Sequence, residues 1–253
     1  MVSSINTNRI PFLNTYVDNL TATEAKACID QLINTEGYHY VVTPNSDIIV
    51  KMQDDPELKA ICEAADLILT DGQIVVKLSR RTGNPIKERV CMTDFIWDVC
   101  DLADEKSYKI FLFGGKEDVL ARATENIKKN YPKLNIVDSY SPPFGFENNE
   151  EQLTVANERI KASGADILIV FLGCPKQEKF IAKNKDKYKV PLSITMGGCV
   201  DFVAGAVRRA PKWMQDVGLE WFYRFLQEPK RLFKRYFVDD MRIFGLAKKY
   251  KNQ

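Results

Sequence analysis

From about Tyr38 to Gly198, short apolar runs alternate with amphipathic stretches, and few folds accommodate that rhythm. "YHYVVTP" reads as a strand, "DPELKAICEA" as a helix and "DLILT" as a second strand, after which "DGQIVVKLSRR" opens the next helix. "KIFLFGG" leads into "KEDVLARATENIKKN", "LNIVDSY" into "EEQLTVANERIKAS", "DILIVFLG" into "KQEKFIAKN", and "PLSITMGG" is the last strand. Strands alternating with helices of 9 to 15 residues form parallel βαβ units. The run "SPPFGFENNEE" (Ser141 to Glu151) is the one long loop-like break, and there is no internal repeat or low-complexity linker. A chain of 253 residues accommodates one large α/β domain with an appendage.

In such sheets ligands collect at the carboxyl ends of the strands. Those ends read Thr43-Pro44-Asn45, Thr70-Asp71-Gly72, Gly114-Gly115, Gly173-Cys174-Pro175 and Met196-Gly197-Gly198. Any one of these glycines and prolines does no more than turn the chain; together they describe an open rim that a ligand can approach. Asp71 follows an apolar strand at a helix start, where a carboxylate is either a cap or a base. Thr43 ends the neighbouring strand of the pattern. Gln177 and Glu178 follow a third, where surface polarity explains them equally well.

Several chemistries are excluded. "FLFGGKEDVL" lacks the G-x-G-x-x-G fingerprint, and its acids Glu117 and Asp118 would oppose a pyrophosphate. There is no P-loop, and no C-x-x-C among Cys28, Cys62, Cys91, Cys100, Cys174 and Cys199. With His39 as the sole histidine, placed in a strand pattern, no zinc site and no cofactor are expected. The scattered cysteines and the absence of a leader pattern in "MVSSINTNRI" point to a reducing cytoplasm. No apolar run reaches the ~18 residues that span a bilayer.

Net charge is only +2, but residues 205–253 hold 12 Lys/Arg against 5 Asp/Glu, and 10 of the 27 aromatics. The first 204 residues therefore carry −5, which opposes a nucleic-acid partner. "GLEWFYRFLQEPKRLFKRYF" suits a membrane-surface helix, a nucleic-acid binder, or a lid that brings arginines to a phosphate. No D-x-D pair is present to hold a metal on a departing diphosphate, so cations of the protein must meet such a charge. The body offers Arg80, Arg81, Lys87 and Arg89, and the tail offers more.

The strings "VVTPNSDIIV", "LTDGQIVV", "RVCMTDF", "FLFGG", "LGCPKQEKF", "MGGCVDFVAGAVRRAPKW" and "GLEWFYRFLQEPKRLFKRY" fall in the order seen in the WecG/TagA/CpsF bacterial glycosyltransferases, and the chain resembles that family over roughly Tyr38 to Tyr236. The resemblance implies an inverting, metal-independent enzyme. It would move a sugar from a UDP donor to a polyprenyl-diphosphate-linked acceptor in cell-envelope, capsular or teichoic acid synthesis. The family default is N-acetylmannosamine or its uronic acid onto an N-acetylglucosamine lipid, with glucose as the alternative. By resemblance, Asp71 matches the general base, and Thr43, Arg89 and Gln177 line the sugar pocket. Asn45, Gly114, Gly115, Gly173 and Asp201 fall near the nucleotide, Phe146 stacks on uracil, and Arg224, Arg231 and Lys234 reach the diphosphate. Met92 stands where the family commonly has glycine, and Val200 where phenylalanine is usual before Asp-Phe.

The expected architecture is a Rossmann-like parallel sheet with helices on both faces, divided into a smaller N-terminal α/β subdomain (1–105), a nucleotide-binding half (106–204) and a helical, basic-aromatic appendage (205–253). The expected partners are a UDP-sugar, the lipid-linked acceptor and the inner face of the cell membrane, with a homo-oligomer allowed. In the appendage, Trp221, Arg224, Phe225 and Glu228 share one side of a helix that Pro229 breaks. Beyond it Phe233, Phe237, Met241 and Phe244 form an apolar stripe beside Arg231, Arg235, Arg242 and Lys249. A non-catalytic module that binds nucleotide-sugars or lipid headgroups is the rival from another class.

Overall fold

The computed structural model describes residues 7–250; the first six residues of the expected leader-free N-terminus, and 251–253, lie outside the described residues. A six-stranded parallel sheet forms the centre. It is built from β3 (His39–Val42), β4 (Leu67–Ile68), β5 (Ile110–Gly114), β6 (Ile136–Tyr140), β7 (Ile167–Phe171) and β8 (Leu192–Thr195) in the order β4-β3-β8-β7-β5-β6. Strands β5 and β7 are buried at every position, which is why they read as unbroken apolar runs. A two-stranded antiparallel hairpin, β1 (Arg9–Phe12) and β2 (Thr15–Asp18), precedes the sheet. Its buried Asp18 pairs with Arg9 at 2.9 Å and accepts the Ile68 N–H at 2.6 Å, tying the hairpin to β4.

Helices cover both faces. Ala22–Ile33, Met92–Lys106, Glu117–Asn130 and Cys199–Val203 pack on one; Ser46–Lys51, Pro56–Glu63, Gln73–Ser79, Glu150–Ser163 and Lys176–Tyr188 pack on the other. The hairpin and the helices Ala22–Ile33 and Met92–Lys106 add to the alternation read from Tyr38 onward. Strands β3 and β4, from before residue 105, share one sheet with β5, β6, β7 and β8 from after it, and β3 pairs with β8.

The chain leaves β3 and β7 toward one face and β5 and β8 toward the other. Neighbouring strands thus send their connections apart, and a crevice opens outside their carboxyl ends.

The appendage is helical over Lys212–Asp216, Glu220–Gln227, Pro229–Lys234 and Arg242–Lys249. Pro229 occupies the first turn of the third of these, where its missing N–H costs nothing. The apolar stripe does not lie on one continuous helix. Residues Arg235–Asp239 form a widened turn in which the Asp240 N–H reaches the Arg235 carbonyl at 2.7 Å, a local underwinding that re-aims the chain. It turns Asp240 and Ile243 inward, and Ile243 joins the core on the face that carries Ser46–Lys51.

Candidate active site

The strand ends converge as the alternation requires. The Asp71 N–H donates to the Pro44 carbonyl at 3.3 Å, and the Val90 N–H to the Thr70 carbonyl at 3.0 Å. The ends of β3 and β4 are thereby joined to the segment that carries Arg89. Asp71 is partly exposed at the rim. Burial pushes its carboxyl above the ordinary carboxylate value; the Arg89 charge and the Met92 N–H pull it down, Glu220 pushes it up and Arg224 pulls it down again. A carboxylate raised by its surroundings is a stronger base than a free one and so is suited to accept a proton. Asp71 does not cap the helix Gln73–Ser79: Gly72 stands at the cap position and no side chain bonds there.

The other residues expected in the sugar pocket divide. The buried Thr43 hydroxyl donates to the Thr195 carbonyl at 2.9 Å, across the β3–β8 pairing. Arg89 donates to Glu220 at 3.2 and 3.3 Å. Gln177 and Glu178 are 2 % and 0 % exposed, which removes the surface-polarity reading. The Gln177 side chain accepts the Gly197 N–H at 3.0 Å and donates to Glu178 at 2.9 Å, fixing it between the β7 and β8 ends. Burial raises the Glu178 carboxyl, against the hydrogen bond from Gln177.

Residues expected near a nucleotide are equally mixed. Asn45 caps the helix Ser46–Lys51 by accepting the Ile48 N–H at 3.2 Å. Gly114 has φ +100°, and a Cβ there would lie 2.8 Å from the Leu172 side chain and 3.0 Å from the Phe171 carbonyl carbon, so close packing onto β7 demands glycine. Gly115 accepts the Ser141 hydroxyl at 2.6 Å and faces Val200. A Cβ at Gly173 would meet open space.

Phe146 is the clear correction. It is 2 % exposed, edge-on to Phe113 at 5.6 Å and against Phe180 at 5.7 Å, so its ring belongs to the core and has no face for a base. The exposed ring of that loop is Phe144, with the Lys176 ammonium 4.7 Å from its centroid.

The appendage completes the rim. The Arg224 guanidinium lies 5.1 Å over the Phe202 ring, and one of its terminal nitrogens is 3.2 Å from where a Gly198 Cβ would stand. Its Nε is buried with no hydrogen-bond partner. Burial raises the neighbouring Asp201 carboxyl, while the charges of Arg224, Arg231 and Lys116 oppose it. Arg231 also pairs with Glu228. Lys234 is 79 % exposed beside Asp239, so it is not part of this group. In the body, Lys87 is engaged with Glu24 at 3.0 Å.

Two residues of the site were quoted in the motif strings but not singled out there: Glu220 and Arg209. Arg209 donates to Glu220 and to Asp94, each at 2.7 Å. Of the two atypical residues, Met92 gives its N–H toward Asp71 and its carbonyl to the Cys199 thiol at 3.3 Å, and Val200 packs 3.4 Å from the position of a Gly115 Cβ. Among the described residues no group of three or more His, Cys, Asp or Glu is placed to hold a metal ion.

A doubly wound parallel sheet thus carries beyond the end of β4 a raised carboxylate, Asp71, on which the charges of Arg89 and Arg224 act. A model of the glycosyl transferase WecG/TagA/CpsF family matches residues 10–253. The chain belongs to that family and is a glycosyltransferase. It is 33% identical over 192 residues to the N-acetylglucosaminyldiphosphoundecaprenol N-acetyl-beta-D-mannosaminyltransferase of Bacillus spizizenii, covering 76% of this chain and 72% of the relative. The Bacillus subtilis enzyme of the same name is 32% identical over 224 residues, covering 88% and 84%.

Proposed function

We propose that the protein transfers N-acetylmannosamine, or its uronic acid, from UDP to N-acetylglucosaminyl-diphospho-undecaprenol or a close analogue, in cell-envelope polysaccharide or teichoic acid synthesis. The observation that carries the reading is the family match over residues 10–253 together with the place of Asp71 just beyond β4, where the charges of Arg89 from the body and Arg224 from the appendage act on it. The transfer is one inverting displacement. The acceptor hydroxyl oxygen bonds to the anomeric carbon as the bond from that carbon to the UDP oxygen breaks. Asp71 takes the hydroxyl proton, and UDP leaves with the electron pair. Arg89 and Gln177 orient the sugar, which makes the step effectively unimolecular. Arg224 and Arg231, near Asp201, meet the charge growing on the diphosphate, so that no metal is required.

The appendage also holds the enzyme on the inner face of the membrane. Among the described residues no helix is long and apolar enough to cross a bilayer. Trp221, Leu226, Phe233, Phe237, Met241 and Phe244 are nevertheless 42 % to 60 % exposed, and the cations around them attract anionic lipid at about 1 kcal/mol each. Arg242 and Arg235 contribute less than the stripe suggested, because they pair with Asp54 at 2.6 Å and Asp47 at 3.6 Å.

The test is UDP release from a panel of UDP-sugars, with and without a short-chain prenyl-diphosphate N-acetylglucosamine. Acceptor-dependent release from UDP-N-acetylmannosamine or its uronate is expected. UDP-sugar binding without acceptor-dependent release from any donor would leave a binding module instead.

A further inference from the structure

Glu220 opens the appendage helix Glu220–Gln227 and lies between Arg89 of the body and Arg209 at the start of the appendage. Its Oε2 accepts both terminal nitrogens of Arg89, at 3.2 and 3.3 Å, and its Oε1 accepts Arg209 Nε at 2.7 Å. Arg209 in turn donates to both oxygens of Asp94, at 2.7 and 3.3 Å, and to the Gln215 side chain at 2.8 Å. Asp94 belongs to the first turn of the helix Met92–Lys106. The chain of charges Arg89–Glu220–Arg209–Asp94 therefore fastens the appendage to the segment that carries Arg89, a cation that acts on Asp71. Both Glu220 and Arg89 are largely shielded, at 17 % and 20 % side-chain exposure. Pairs in that setting are screened far less than surface ones.

We propose that Glu220 is a positioning residue for the transfer reaction, acting through Arg89 on the basicity of Asp71 and setting the register that delivers Arg224 to the rim. The inference rests on the reading of Asp71 as the base. Two consequences follow from the geometry. Glu220 and Arg224 are four residues apart, so they share a helix face. Anchoring the first between Arg89 and Arg209 brings the second over Phe202 and beside Gly198. Secondly, an anion that holds Arg89 weakens that cation's grip on Asp71 and also opposes the Asp71 anion directly. Charged and titratable groups that act on Asp71 include Arg89, Cys91, Cys199, Glu220 and Arg224, and Glu220 is the carboxylate among these five. A base without it would be more readily ionised but weaker, and proton abstraction would slow accordingly.

The experiment measures kcat/KM against pH for full-length Glu220→Gln, Glu220→Asp and Arg209→Gln, with thermal unfolding followed alongside and Asp71→Asn as the reference. Glu220→Gln is expected to move the acidic limb to lower pH and to lower the plateau roughly tenfold or more, from weaker basicity and lost register. Glu220→Asp, which keeps the charge, should return the limb toward its original position. Arg209→Gln removes a cation behind Glu220 and should move the limb to higher pH. Opposite displacements of this kind do not arise from a merely loosened fold. If Asp71→Asn is inactive and the limbs of the other variants coincide with the unmodified protein, the positioning role is overturned while the base remains. If Asp71→Asn stays active, the base reading fails and the role of Glu220 fails with it.

Discussion

Asp240→Asn should stabilise the protein at neutral pH even though it deletes a charge at an apparently well-made contact. Asp240 is 9 % exposed, where the widened turn of the appendage meets the helix Ser46–Lys51. One of its oxygens accepts the Ser46 hydroxyl at 3.1 Å and the other has no partner. Burial raises its carboxyl from 3.8 to about 6, against the nearby Arg235 and with a push from Asp47. A carboxyl whose folded value is raised contributes stability that is present below 3.8 and lost as pH rises through about 6. That interval corresponds to about 3 kcal/mol at 1.36 kcal/mol per pH unit. Allowing for partial solvent access and relaxation around Arg235, the asparagine variant should gain about 1–2 kcal/mol at pH 7.5 and nothing near pH 4. Urea unfolding at both pH values reads this as a higher midpoint at unchanged slope, present only at the higher pH. An asparagine variant that is less stable at pH 7.5, or equally stabilised at both, would refute the reasoning.

Turnover should survive EDTA, and a rate that returns only on adding Mg²⁺ or Mn²⁺ would show that the cations of the protein do not handle the leaving group. Arg224→Ala should cut turnover by on the order of 10²-fold while cosedimentation with anionic vesicles stays nearly unchanged; equal losses of both would make Arg224 a lipid contact. A chain ending after Ala204 should hardly turn over and should unfold at lower temperature, because it loses Glu220 and Arg224 from the rim and Ile243 from the core; transfer at the full rate would reduce the appendage to an anchor.

The parallel sheet was legible because β5 and β7 are buried on both faces and leave continuous apolar runs. The N-terminal hairpin was not, because its two-residue turn is Leu13-Asn14, with Leu13 at φ +53°, instead of the Asn-Gly or Gly-x pair that announces such turns. Position along the sequence placed Asp71 at a strand end, but only the fold decides between Phe144 and Phe146: both lie in one loop-like run, and burial separates them. The helix break at Pro229 was readable from the proline itself. The widened turn after Lys234 carries no such marker. It is seen in the inward turn of Asp240 and Ile243, side chains that join the body through partners nearly two hundred positions away, such as Ser46. Glu220 is a similar case, since its partner Arg89 lies 131 residues earlier and a lone glutamate in a basic, aromatic helix reads as solvated.

The most direct test of Asp71 as the base compares turnover and UDP binding in Asp71→Asn against the unmodified protein, using the donor and acceptor that give the fastest UDP release. The substitution keeps the shape of the β4 end and removes the carboxylate charge, and with it the capacity to take a proton. Turnover is expected to fall by on the order of 10²–10⁴ while UDP affinity stays within a few-fold. Turnover close to that of the unmodified protein would contradict the account and leave Asp71 a structural residue of the rim.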